Sequence, residues 1–296
     1  MYELIAANRR RSVFLVVSFV LLVAALGFIF GLAWDVGYFA AVAATAVAVV
    51  ASIFAYYRSD KIVLRISHAR AADPADPNQA RLINITEGLS IAAGIPVPGV
   101  YVIDDEAPNA FATGRDPKHA AIAATTGLLQ KMNRVELEGV IAHELSHIRN
   151  YDILVTTIAV VLAGLVTLMS DWMLRGFWRV GGRRRSGGAI VGVLGLVAAL
   201  LAPLIAQMIR MALSRRREML ADSTGVMLTR YPPGLVSALK KLRDDSTVVR
   251  TGSRATAHLW IESPLHRSGS GVLSWTNRLF DTHPPIEERI RILESL

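Results

Sequence analysis

Four stretches of this chain, residues 12–34, 36–57, 153–170 and 186–209, contain no Asp, Glu, Lys, Arg or His. Such runs narrow the options sharply: a helix rises ~1.5 Å per residue and bilayer hydrocarbon is ~30 Å thick, so about 20 residues cross it. The first, second and fourth stretches are long enough. The third is marginal unless Asp152 and Asp171 lie in the interface. Hydrophobic residues make up 52% of the 296, which is rich for a soluble domain and fits spans plus a globular part. Arg9, Arg10 and Arg11 precede the first stretch as they would a secretory signal. A signal's apolar core runs only ~7–15 residues, and no small-residue cleavage site leads into a mature domain, so the stretch reads as an uncleaved span.

Lys and Arg concentrate on the cytoplasmic side of membrane spans. Arg9 to Arg11 hold the N-terminus inside, the short turn at Asp35–Gly37 lies outside, and Arg58, Lys61 and Arg65 return the chain to the cytoplasm. Arg210 and Arg215 to Arg217 mark the end of the fourth stretch as cytoplasmic as well. Arg175, Arg179 and Arg183 to Arg185 disagree, because this topology puts them outside. Either that loop is an exception, or the third and fourth stretches form a re-entrant pair. Both readings divide the chain into a hairpin at 1–60, half of a cytoplasmic domain at 61–152, a second hairpin at 153–209 and the other half at 210–296. The formal charge of +8 then belongs to topology and anionic lipid rather than to nucleic acid. The chain has no Cys, so disulfides and thiolate metal sites are excluded.

Outside the apolar stretches the pattern is α+β. Residues 71–80 are a turn-rich approach with two Pro, 78–93 read as a helix closed by Gly94, and 100–103 as a β-branched and aromatic strand. Residues 110–113 and 120–126 give two more strands, hence a small sheet of about three. Residues 133–150 form a helix in which Asn133 and Glu136 have capping-box spacing and Leu137, Ile141, Leu145 and Ile148 share an inward face. Residues 244–274 read as a loop region and 285–296 as a terminal helix.

The capped helix carries His143-Glu144-Leu145-Ser146-His147. Residues at i and i+4 project from one helix face, so both imidazoles can reach one ion. Glu144 then faces a water on that ion rather than the ion itself, which is the arrangement of a zinc peptidase. The third ligand should be a His or carboxylate from another helix. Glu218 opens Glu218-Met219-Leu220-Ala221-Asp222, where two carboxylates again share a face. Glu218 can bind Zn²⁺, and Asp222 can accept a hydrogen bond from the outward nitrogen of a ligand His. The bland alternative is an ordinary charged helix face. Spacing favours the ligand reading: His147 lies six residues before the third apolar stretch and Glu218 nine after the fourth. Both would sit roughly 9–14 Å above the hydrocarbon.

In these motifs the chain resembles the HtpX family of membrane zinc metalloproteases, which are related to the CAAX prenyl endopeptidases. The resemblance also runs through the N-terminal spans, Pro108 to Gly114, and Thr282-His283-Pro284-Pro285 followed by Glu288-Arg289-Ile290. It implies a mainly α membrane protein: four hydrophobic helices plus a gluzincin-like α+β metallopeptidase domain with a small sheet. It further implies one Zn²⁺ per chain, a bacterial or archaeal cell membrane, and proteolytic quality control of misfolded or damaged membrane proteins under heat or envelope stress. By the same resemblance, Asn109, Ala110 and Phe111 form the edge strand that receives the peptide, through backbone pairing that tolerates many sequences. His283 and Arg289 resemble positions near the substrate, where either could donate to an oxyanion. A loop His and a helix Arg with structural bonds is the plainer alternative.

Three rivals are distinguishable. A narrow-specificity maturation protease would share these residues but need an enclosed chamber, for which four spans are few. A transporter would need ionisable groups inside its spans, and these spans have none. An inactive scaffold would bind metal without cleaving.

Overall fold

The computed structural model describes residues 2–33, 37–159, 161–162, 215–247, 260–261 and 284–296. The first two apolar stretches form two long packed helices, α1 (Tyr2–Ala33) and α2 (Phe39–Ile66). Leu15, Phe19 and Val23 of α1 and Ala48 and Ala55 of α2 are buried, whereas Val13, Val17, Leu21, Val42, Val50 and Phe54 point outward. So continuous an exposed apolar surface is what lipid, not water, accommodates. Among the described residues, one helical stretch, Ala41–Ile66, is long and apolar enough to cross a bilayer. Residues 152–159 and 161–162 of the third region are helical. The rest of that stretch, the whole fourth stretch and the arginine-rich loop between them lie outside the described residues.

The remaining elements build a mostly helical domain around a small mixed sheet. Strand β1 (Arg70–Ala71) leads to helix α3 (Pro77–Ala93), then come β2 (Gly99–Ile103), β3 (Ala110–Gly114) and β4 (Ala120–Thr125). The sheet order is β1-β2-β4-β3, with β2 parallel to β4 and the other pairs antiparallel. Three strands were expected. The fourth, β1, has only two residues, too few to show alternation. The start of α3 is set by Asp76, whose carboxylate accepts from the Asn78 and Gln79 amides, with Pro77 in the first turn; Gly94 in a left-handed conformation (φ 67°) ends it. Thr126, expected in the last strand, instead opens helix α4 (Thr126–Lys131), because the Thr125 side chain caps it by accepting from the Leu128 amide.

Strand alternation gives the sheet two faces. Val102, Ala110, Ala112, Ile122 and Ala124 pack into the main core with Leu137, Ile141 and Leu145 of helix α5 (Arg134–Arg149). Ile103, Phe111, Ala121 and Ala123 pack instead on Val63 and Leu64, at the end of α2, and on Trp260. The second apolar helix therefore continues without a break into the globular core. Each such fully buried Leu or Ile stabilises by roughly 1.5–3 kcal/mol, enough to fix the hairpin to the sheet.

Helix α5 begins where its capping box says it should. Asn133 accepts from the Glu136 amide and Glu136 accepts from the Asn133 amide. The buried Glu136 carboxylate also takes hydrogen bonds from Ser237 and Lys241 of α7 (Pro232–Asp244), each at 2.7 Å. The helix stops at Arg149. Tyr151 adopts φ 60° and a new helix starts at 152. The rise per residue therefore cannot be carried unbroken from His147 into the third apolar stretch, as the height estimate above assumed. Helices α6 (Arg215–Thr229) and α8 (Ile286–Glu294) complete the described elements.

Candidate metal centre

Helix α6 packs along α5, and one glycine sets how closely. A Cβ on Gly225 would lie 3.0 Å from the His143 amide nitrogen and 3.2 Å from the Ala142 carbonyl carbon. The two backbones thus nearly touch at the first histidine. Glu218 and Asp222 precede Gly225 by seven and three residues, on the same helical face, so this approach brings both carboxylates over the histidine pair. The Nε2 atoms of His143 and His147 are 3.3 Å apart. Glu218 reaches His143 Nε2 at 3.6 Å and His147 Nε2 at 3.7 Å. One donor atom from each of the three residues falls within 4.8 Å of the others.

A second layer fixes how those imidazoles present themselves. Nδ1 of His143 is 2.8 Å from Asp222, and Nδ1 of His147 is 3.1 Å from Asp152. Each Nδ1 therefore carries the proton donated to a carboxylate, and in the neutral ring each Nε2 turns a lone pair inward. Two inward lone pairs at this separation repel unless a cation or proton lies between them. A tetrahedral ion with N–metal bonds of ~2.0–2.1 Å holds its nitrogens ~3.3–3.4 Å apart, so the pair fits a zinc-sized ion. Asp222 is itself gripped by Arg289, at 2.8 Å from Nε and 2.7 Å from Nη2. Asp152 accepts from the Asn8 side chain of α1 at 2.7 Å, with Arg217 3.9 Å away.

The protein's own charges around the site answer one another. Burial opposes a charged imidazolium at His143, but the hydrogen bond and charge of Asp222, helped by Glu218, push its pKa up to about 9. Burial opposes charge at His147 too, and Glu218 and Asp152 outweigh it, so its pKa is also raised. Burial pushes the Glu144 carboxyl up against the pull of both histidines, and Glu218 pushes it further. For Asp222, burial works upward but Arg289 and His143 prevail and hold it below the ordinary carboxylate range. A carboxyl whose pKa burial raises, beside a cation site, is better suited to taking up and returning a proton than an ordinary solvated carboxylate.

The structure thus brings together His143, Glu144, His147, Glu218 and Asp222. Arg289 is 2% exposed and sits on the Nδ1 side of His143, 3.4 Å from that atom, with Nη1 3.3 Å from the Ile261 carbonyl. Of its two readings, these bonds favour the structural one: it holds Asp222 and does not face the Nε2 side where a substrate would lie. His283 lies outside the described residues. Asn109 accepts from the Thr125 amide, so residues 109, 111 and 113 face β4 and residues 110 and 112 turn their backbone groups to the outer edge. At that edge the Ala110 carbonyl already accepts from the Ile261 amide at 3.0 Å. Sequence reasoning missed Asp152, Asn8 and Gly225. A helix-interior glycine three residues past Asp222 was the available signal for the last, since such a glycine often marks close packing.

A model of peptidase family M48 matches residues 76–296. The protease HtpX homolog of Thermoanaerobacter pseudethanolicus is 46% identical across all of this chain and 98% of its own length. The protein of the same name from Lactobacillus helveticus is 41% identical with both chains covered in full. That from Tropheryma whipplei (strain Twist) is 42% identical over all of this chain and 98% of its own length.

Proposed function

The chain belongs to peptidase family M48, and from that premise we propose that it is a membrane-bound zinc endopeptidase that cleaves misfolded or damaged membrane proteins. The observation that carries this reading is the convergence of the two Nε2 atoms with the Glu218 carboxylate, with Glu144 buried beside the first histidine. His143, His147 and Glu218 hold one Zn²⁺ per chain. Bound there, the ion supplies Lewis acidity toward a peptide carbonyl and makes water easier to deprotonate. Glu144 takes the proton from the attacking water and delivers it to the leaving amine. Asp222 and Asp152 keep both imidazoles in the ligating tautomer, and Arg289 keeps Asp222 in place.

A substrate peptide extended along β3 beside Asn109, Ala110 and Phe111 would pair with the outward backbone groups of Ala110 and Ala112, displacing the Ile261 amide from the Ala110 carbonyl. His283 is the remaining candidate for a donor to the oxyanion. Four hydrophobic helices carry the domain: the hairpin of α1 and α2 and a second pair at 153–209, with the two halves of the peptidase at 61–152 and 210–296. The arginines flanking α1 and α2 support a cytoplasmic catalytic domain in a bacterial or archaeal cell membrane.

The test is a pair of measurements on purified full-length protein and Glu144→Gln. Wild type should carry about one zinc and cleave an unfolded membrane protein in a chelator-sensitive way, while Glu144→Gln keeps the metal and loses cleavage. An active, fully metallated Glu144→Gln protein removes the mechanism.

A further inference from the structure

A cavity of about 640 Å³ opens between α1, α2 and the helix beginning at residue 152. Its walls are Val13, Val16, Val17 and Val20 of α1 and Val49 and Ile53 of α2. Its mouth carries two guanidinium groups. Arg9 lies 5.3 Å over the Tyr151 ring and Arg115 lies 5.3 Å over the Tyr57 ring. Arg115 also donates to the Tyr57 carbonyl at 3.1 Å and pairs with Asp116 at 3.5 Å. That carboxylate is shared with His119, 2.8 Å away. Arg9 has no acidic partner among the described residues. The mouth therefore holds two arginine charges against one aspartate, at one end of an otherwise apolar slot.

We infer that this cavity is a binding site for one anionic phospholipid of the leaflet nearest the peptidase domain, its phosphate between Arg9 and Arg115 and an acyl chain between α1 and α2. Depth favours a lipid. From Arg9 to Val20 the helix rises about 16 Å, half of the ~30 Å hydrocarbon and so one leaflet. The tyrosines at the mouth match the aromatic belt at a membrane surface. The site also abuts the metal centre: Asn8, next to Arg9, donates to Asp152, which accepts from His147.

The inference rests on membrane insertion of α1 and α2, which alkaline extraction of the membrane fraction tests separately. Protein released by that treatment is a failure of the membrane reading, not of the site. For an inserted protein, native mass spectrometry of the detergent-solubilised full chain measures retention of added phosphatidylglycerol and phosphatidylcholine, with inorganic phosphate as competitor. Expected is one phosphatidylglycerol per chain, favoured over phosphatidylcholine by about fivefold for each arginine engaged. Arg9→Gln and Arg115→Gln each remove about that factor, Val17→Trp lowers retention of both lipids by filling the slot, and Arg10→Gln, outside the lining, changes neither. Equal retention of the two lipids overturns the proposal, as does an Arg10→Gln loss as large as that of Arg9→Gln. Displacement by inorganic phosphate alone would mark a phosphate site, and displacement by a hydrophobic transmembrane peptide a substrate groove; either result also overturns it.

Discussion

Replacing Asp222 with Leu breaks two things at once, and they can be separated. Asp222 holds the His143 Nδ1 proton at 2.8 Å and accepts two bonds from Arg289 at 2.7 and 2.8 Å, with all three side chains buried. Losing the partner of the metal-facing imidazole should weaken metal affinity ~10–100-fold. Leaving the Arg289 guanidinium buried without its carboxylate should cost about 3–5 kcal/mol of stability. Removing both charges together, in Asp222→Leu with Arg289→Met, takes away the uncompensated ion, so most of that stability should return. The metal affinity should not return, because His143 still lacks an acceptor. Denaturant unfolding of the metal-free protein reads the stability, and zinc competition against a chromophoric chelator reads the metal affinity. If the double variant regains zinc affinity along with stability, Asp222 acts only through folding and its role in orienting His143 is wrong.

Two further outcomes follow from the same geometry. Gly225→Val forces apart the α5 and α6 backbones at His143, so zinc affinity should fall at least about tenfold with a smaller loss of stability; an unchanged affinity in the chelator competition would show that α6 moves freely without disturbing Glu218. In metal-free protein His143 keeps its proton up to about pH 9, and zinc must displace that proton. Apparent zinc affinity should therefore keep rising by about tenfold per pH unit per proton from near pH 6.5 toward 9, whereas an unshifted imidazole would level off just above 6.5; a plateau by pH 7.5 refutes it.

What the sequence disclosed here is what short-range rules encode. The helix with both histidines was legible because Asn133 and Glu136 cap it locally and because His143 and His147 share a face by helical periodicity alone. Glu218 and Asp222 were legible as a pair for the same reason, although their target lies on another helix. Asp152 was not. It reaches His147 only because the chain turns at Tyr151 with φ 60°, a left-handed step taken without the glycine that usually signals one. Strand β1 was hidden by its two-residue length. The grip of Arg289 on Asp222 joins residues 67 positions apart, and no local pattern distinguishes that arginine from one facing substrate.

The two histidines proposed as ligands are held from opposite ends of the chain. His143 is fixed through Asp222 by Arg289 in the last described helix, and His147 is fixed through Asp152 by Asn8 in the first. The apolar N-terminal hairpin therefore reaches the proposed metal centre through Asn8, and Asn8→Ala tests whether it helps to hold the ion. Asn8 donates to the Asp152 carboxylate at 2.7 Å and to the Asn150 carbonyl at 3.1 Å, all buried. A hydrogen bond to a charged group contributes about 1.5–3 kcal/mol, but Arg217 still neighbours Asp152 at 3.9 Å, so the carboxylate keeps a cation when Asn8 is gone. Zinc affinity should fall by a few-fold to about tenfold, less than for Asp222→Leu, because His147 loses orientation but not its acceptor. Asp152→Ala, which removes the acceptor itself, should match the Asp222→Leu loss. If Asn8→Ala leaves zinc affinity untouched while Asp152→Ala lowers it, α1 merely lies beside the site and the hairpin has no part in holding the metal.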